Sequence, residues 1–250
     1  MKSYKGLLRG TVALVVLRAA IASLVLAGSL AYGVQCSAAD LLSPISFAEQ
    51  SDPNSRPNSI LVFAGRMSTT DIWSTMAFNL NKTGTGPYYD NYIAGAAYDR
   101  DLLDFGHGFY FGVEVGIADR FGKYKECCNP IVMSNSIVQS AELWTGPQIR
   151  YAGVLLFDLV RVGAGVTFGL SVTTSSIGNQ LGWEIANASS ARVLYYLGPE
   201  LDFSTPSIQN LEFVLKLQHR SGGKTVPLLP TLADFGEGYN ANVAGVRYRF

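Results

Sequence analysis

Apolar and polar side chains alternate along eight stretches of the chain. The clearest is Asn210 to Ser221, NLEFVLKLQHRS. Its odd positions are Leu211, Phe213, Leu215, Leu217, His219 and Ser221. Its even positions are Glu212, Val214, Lys216, Gln218 and Arg220. Successive side chains of a strand point to opposite faces. One face is therefore an apolar ladder ending in a histidine and a serine, and the other is mostly charged or amide. The same alternation predicts strands over 59–67, 91–99, 109–120, 140–151, 154–172, 192–203 and 240–250.

The connections alternate too. Stretches 68–90, 121–139, 173–191 and 222–239 are long, with a short helical turn expected around Asp71–Met76. Stretch 100–108, a turn near Ala152–Gly153, and 204–209 are short. A half-buried soluble sheet explains the residue pattern but not the alternation in loop length. An even-stranded membrane barrel explains both, with tight turns at one rim and longer loops at the other. The last strand ends on Phe250, an aromatic terminus of the kind outer-membrane barrels share. The predicted fold is all-β: an eight-stranded antiparallel transmembrane outer-membrane barrel.

Its inner face would carry Glu114, Glu142, Arg150, Arg161, Glu200, Asp202, Glu212, Lys216, Arg247 and Arg249. An eight-stranded barrel is just wide enough for side chains to fill. Both signs of charge then share one interior, so a neutralised network and no open pore are expected.

Composition agrees. Charged residues make up 15%, against roughly 25% in an ordinary globular chain, while 26 glycines, 13 tyrosines and 13 phenylalanines are present. Lys plus Arg equals Asp plus Glu at 19 each, so the basic excess of a nucleic-acid binder is missing.

The N-terminus reads as an export signal. Lys2, Lys5 and Arg9 precede an apolar run from Thr11 to about Tyr32, broken by Arg18. Ser37-Ala38-Ala39 supplies the small residues of a cleavage site. The expected organisation is a signal peptide over 1–39, an irregular segment over 40–58 and the barrel over 59–250. An uncleaved anchor is the alternative, weakened by Arg18. Cleavage after Ala39 removes four positive charges and no acid, leaving 15 basic against 19 acidic residues, net −4. Cys127 and Cys128 then remain, side by side. They suit either a vicinal bridge or two separate thiols, not a disulfide framework. With His107 and His219 the sole histidines, a zinc cluster is not expected, and no cofactor is called for.

Candidate chemistry sits at the end of the 210–221 ladder. If the chain starts in the periplasm, His219 and Ser221 lie at the outer end of the seventh strand, on its lipid-facing side. Two residues apart on one face, they suit a general base and a nucleophile for an acyl ester at the headgroup boundary. They equally suit two polar residues where a strand leaves the bilayer.

Further residues bear on that choice. His219-Arg220-Ser221-Gly222-Gly223, a loop, Gly236-Glu237-Gly238-Tyr239-Asn240 and the ending Arg247-Tyr248-Arg249-Phe250 resemble the PagL-type lipid A 3-O-deacylases. The specific likeness covers roughly the last 35 residues; the remainder matches in architecture alone. The resemblance implies an eight-stranded outer-membrane barrel with a serine-hydrolase site on its lipid-facing wall. It implies hydrolysis of the acyl chain at position 3 of lipid A, without calcium or another cofactor.

By that resemblance Ser221 is the nucleophile and His219 the base. The third, acidic position of the family falls on Asn240. An amide orients imidazole but stabilises imidazolium less than a carboxylate. Glu237 is the substitute, and Asp234 a weaker one. Gly222, where the family often has Asn, and Gly223 are candidate oxyanion donors through their backbone N–H groups.

Partners implied are lipopolysaccharide and the outer membrane, with a homodimer left open. The apolar loop 224–235 either dips into the outer leaflet or packs on the rim. Trp73, Trp144, Trp183, Tyr195 and Tyr196 suit interfacial girdles or core filling. Two rivals remain: a non-catalytic barrel serving as adhesin or scaffold, and a lipid A acyltransferase.

Overall fold

A computed structural model describes residues 56–68, 71–77, 89–123, 137–177, 180, 181, 184, 191–224, 230–234 and 239–250. The expected signal peptide and most of the irregular lead-in lie outside them, as do Cys127, Cys128, Trp183 and Glu237.

Eight strands form a closed antiparallel barrel, each paired with its neighbours in chain order. They are β1 (Asn58–Ser68), β2 (Tyr89–Gly106), β3 (Phe109–Lys123), β4 (Ile137–Leu156), β5 (Val160–Thr173), β6 (Val193–Thr205), β7 (Ile208–Ser221) and β8 (Tyr239–Arg249). The wall closes where β1 pairs with β8, from Ser59 opposite Arg249 to Ser68 opposite Asn240. Asn58 and Phe250 exchange backbone hydrogen bonds of 2.9 and 3.2 Å beside that seam.

Two connections differ from what the residue pattern suggested: one is tighter and one lies further along the chain. Strand β2 continues to Gly106, because Asp101 turns inward and pairs with Arg150 and Arg249. The turn is then only His107–Gly108, with Gly106, His107 and Gly108 all at positive φ. The turn expected at Ala152–Gly153 is instead a register shift within the β4–β5 pairing, and Gly153 adopts φ +104° there. The chain reverses at Phe157 and Asp158, both left-handed, closed by a 3.0 Å bond from Leu159 N–H to the Leu156 carbonyl. Two successive left-handed residues match the right-handed twist of the flanking strands.

The alternation predicted from the chain is realised around the wall. Ile60, Val62, Val115, Ile117, Leu143, Ile149, Phe168, Leu170, Phe213 and Val246 are exposed on the outside. The interior is full, with buried apolar side chains such as Leu61, Phe63 and Ile93 beside a network of charges. Lys216 pairs with Glu114 and Glu200. Arg247 reaches Asp99, Glu200, Asp202 and Glu212 at 3.2, 2.7, 2.8 and 3.5 Å. Arg249 binds Glu212 at 2.6 Å. Of the ten expected inner charges, Arg161 alone is only half-buried.

Trp144 and Tyr196, candidates for a girdle, prove to be core. Their rings stack inside the barrel at 5.3 Å, and Trp144 Nε1 donates to Glu114 at 2.6 Å. Gly116 makes room for that indole, since a Cβ there would meet the ring at 2.0 Å.

A short helix, α1 (Ile72–Met76), follows β1. Asp71 caps it, accepting from Ser74 N–H at 2.9 Å and from Ser74 Oγ at 2.8 Å. Those bonds hold its carboxyl below the usual aspartate range. The helix packs on β7 and β8, where Asn242 Nδ2 donates to the Thr75 carbonyl at 2.8 Å. Trp73 and Met76 stay exposed.

Candidate active site

Strand β7 splits its residues between two environments. Leu211 and Phe213 are 43% and 48% exposed on the outer wall, while Glu212, Lys216, Gln218 and Arg220 are buried in the lumen. By the same alternation His219 and Ser221 face outward. They lie at the rim opposite the tight turns, where β1 also ends and β8 begins.

These outward residues are nevertheless covered: His219 is 9% exposed, Ser221 8% and Asn240 1%. Helix α1 lies against this part of β7 and β8, and residues 230–234 cross the rim beside it. Leu232 N–H and Ala233 N–H both donate to the Gly222 carbonyl, at 2.8 and 3.3 Å. Tyr195, opposite Ser221 on β6, donates its hydroxyl to the Pro230 carbonyl at 2.9 Å.

The β7–β8 register sets His219 opposite Asn240, and His219 Nδ1 lies 2.6 Å from Asn240 Oδ1. An amide oxygen only accepts, so Nδ1 carries the hydrogen. That leaves Nε2 with a free lone pair, the form a general base requires. Ser221 follows two positions later on the same face. Glu237 lies outside the described residues, and Asp234 is exposed on the loop.

Arg220, between the two, points the other way and ties the strand end to the interior. It donates to Gln180 Oε1 at 2.5 Å and to the Arg192 carbonyl at 3.0 Å, and lies 3.4 Å from Glu142. A strand held so firmly on its inner side presents the next side chains outward in a fixed register.

Gly223 has φ +81°, and a Cβ there would meet the Tyr195 ring at 2.6 Å, so only glycine fits. Across a trans peptide, carbonyl and amide point in opposite directions. The Gly222 carbonyl is held by Leu232 and Ala233, so the Gly223 N–H points away from that loop.

Sequence reading missed the third strand around the histidine. Ser68, assigned to a loop, is the last residue of β1. It stands opposite Asn240 and is buried. Thr75 Oγ1 lies 3.1 Å from its hydroxyl. The signal was the strand period itself: Ser68 continues the outward series Ile60, Val62, Ala64, Arg66.

No family model matches the chain, and no curated protein matches it. Solved structures similar to it at low identity include three distinct proteins. Neisserial surface protein A shares 11% identity over 78% of this chain and 97% of its own, with a TM-score of 0.40. The outer membrane enzyme PagL shares 10% over 77% and 99%, with a TM-score of 0.42. Ail, the attachment invasion locus protein of Yersinia pestis, shares 12% over 78% and 99%, with a TM-score of 0.33.

Proposed function

We propose that this chain is an outer-membrane serine esterase that removes the acyl chain at position 3 of lipid A. The observation that carries the reading is the 2.6 Å contact between His219 Nδ1 and Asn240 Oδ1, with Ser221 next along the same outward face. A buried histidine held in one tautomer beside a serine is more than a strand end in an interface requires. The belt of exposed Ile, Leu, Val and Phe around the wall supports a membrane setting. The pair sits where that belt meets the rim, level with the ester bonds of a lipid headgroup. The His219-Arg220-Ser221-Gly222-Gly223 resemblance supplies the substrate.

The chemistry follows from the tautomer. His219 Nε2 takes the Ser221 proton as Oγ attacks the ester carbonyl. The developing oxyanion is met by backbone N–H donors, for which Gly223 is the candidate. The tetrahedral intermediate expels the sugar 3-hydroxyl, which recovers the proton from imidazolium. Water, deprotonated by His219, then attacks the acyl-enzyme, releases the fatty acid and regenerates Ser221. Asn240 holds the imidazole throughout but brings no charge to offset imidazolium.

The test is release of 3-hydroxy fatty acid from purified lipopolysaccharide by the refolded barrel and by Ser221→Ala. Loss of the nucleophile is expected to lower the rate by about 10⁶-fold. Equal release by the variant would remove Ser221 from the mechanism. A chain gained by lipid A in mass spectra would make the protein an acyltransferase, and unchanged lipid A a scaffold or adhesin.

A further inference from the structure

Helix α1 is turned the wrong way round for a helix in water. A helix laid on a soluble protein buries its apolar stripe and shows its polar residues to solvent. Here Thr75 is buried against the wall, while Trp73, Met76 and Ala77 are exposed. Positions three and four apart share a helix face, so these three make one stripe on the side away from Thr75. Trp73, at 75%, is the most exposed large apolar side chain among the described residues.

Where the helix is held decides what that stripe meets. Asn242 lies three residues inside the start of β8, on the outward face that also carries Ala244, Val246 and Tyr248, all exposed. Its Nδ2 donates to the Thr75 carbonyl at 2.8 Å. The helix is therefore tied to the outside of the wall and not laid across the mouth. The cover it provides shows on β7, where outward-facing Leu217 is buried although Phe213, lower on the same face, is exposed.

The neighbouring residues give the height in the membrane. Arg66 is the partner of Asn242 across the β1–β8 seam and is exposed on the same outer surface. Its guanidinium lies 5.3 Å from the centroid of the Tyr92 ring on β2. An arginine on the lipid side of a barrel is costly at the bilayer midplane and far less so near the interface. Tyrosine and tryptophan gather at that same boundary. Further from the rim the outward positions are Ala64, Val62 and Ile60 on β1 and Ala244, Val246 and Tyr248 on β8, with no charge among them. The helix thus sits between the apolar belt and the water.

We infer that α1 is an interfacial helix whose stripe of Trp73, Met76 and Ala77 docks on outer-leaflet lipid, where headgroups meet acyl chains. The stripe continues the apolar wall below it and is bordered by the Arg66–Tyr92 pair, which suits a headgroup. On their own, three side chains fall well short of the about 800 Å² per partner that a specific protein interface buries. Because α1 lies against the part of β7 and β8 that carries His219 and Asn240, the depth at which it rides sets the depth of that pair. This last consequence rests on the esterase reading; the lipid contact does not.

Trp73 is its own probe. Trp144 is buried in the lumen, and Trp183 is replaced by phenylalanine. Subtracting the emission of the Trp73→Phe, Trp183→Phe barrel from that of Trp183→Phe isolates Trp73. In phosphatidylcholine vesicles whose acyl chains carry bromine near the ester end, Trp73 is expected to lose most of its emission. Bromine near the methyl end, or iodide in the water, is expected to quench it much less. Stronger quenching by iodide would put the stripe in water, and stronger quenching from the methyl end would put it deep in the hydrocarbon; either overturns the inference. Quenching by none of the three would mean that protein covers the stripe, a second barrel included, and overturns it as well.

Met76→Trp in the Trp73→Phe, Trp183→Phe barrel moves the probe along the same stripe. The same order of quenching is expected, and a different order would show that the two positions do not share a lipid face. Fatty-acid release is scored separately. Lipid-quenched Trp73 in a barrel that releases no fatty acid overturns only the esterase reading. Release by a barrel whose Trp73 is quenched from water overturns only the lipid docking.

Discussion

The two sides of β7 make opposite use of polar groups. On the inner side, Glu212, Lys216 and Arg220 join a network in which charges have several partners each. Arg247 alone lies within 3.5 Å of four carboxylates. On the outer side, at the same end of the same strand, His219 meets one neutral amide. The interior is held by many bonds, so it fixes shape. The outer site is held by few bonds, so its histidine keeps a nitrogen available. Changes inside should therefore alter stability and leave the chemistry of folded molecules intact. Changes outside should do the reverse.

The largest effect that separates the two sides is expected from Arg247→Leu. Removing that guanidinium leaves Asp99, Glu200, Asp202 and Glu212 facing one another, with Lys216 still paired to Glu200 and Arg249 to Glu212. Breaking a buried pair by deleting one partner costs about 3–5 kcal/mol, and a drop of that order is expected in urea unfolding of the micelle-inserted barrel. Fatty-acid release per folded molecule should stay near wild type, because Arg247 lies toward the opposite rim from His219. A folded Arg247→Leu barrel that had lost hydrolysis would show that lumen and site are coupled.

Asn240→Ala is the smaller, mirror-image change. It removes the partner of Nδ1 and frees the ring to populate both tautomers. A fall in kcat of about 10–10²-fold is expected, comparable to losing an orienting partner behind a functional histidine, with an unfolding midpoint close to wild type. A shifted midpoint with unchanged kcat would reassign Asn240 to the wall.

How far this division could be read in the sequence depended on how local its causes were. The faces of β3, β5, β6, β7 and β8 follow from a period of two and needed nothing distant. The extension of β2 past Asp101 did not, because that aspartate is made tolerable inside by Arg150 and Arg249 from other strands. Nor did the path of β4 through Gly153, where a glycine that looks like a turn is a bulge in a continuing strand. At the site, the family resemblance pointed to Asn240 as the partner of His219. Ser68 and Thr75 come from the far end of the chain. They come beside β8 only because the barrel closes and α1 folds back on the seam.

The second histidine offers the weakest contrast, and for that reason a clean control. His107 occupies the turn between β2 and β3 at φ +53°, flanked by Gly106 and Gly108, and is exposed. It lies at the rim where β7 starts, whereas His219 lies near the rim where β7 ends. A non-glycine residue in left-handed backbone carries a strain of roughly 1–2 kcal/mol. Glycine relieves it but loses more entropy on folding, a cost of about 0.5–1 kcal/mol. His107→Gly is therefore expected to leave the unfolding free energy unchanged or raised by up to about 1 kcal/mol. It should leave hydrolysis untouched. A loss of activity in this variant would mean that the histidine supporting ester cleavage is at the wrong end of the barrel, and that the outer-rim assignment of His219 fails with it.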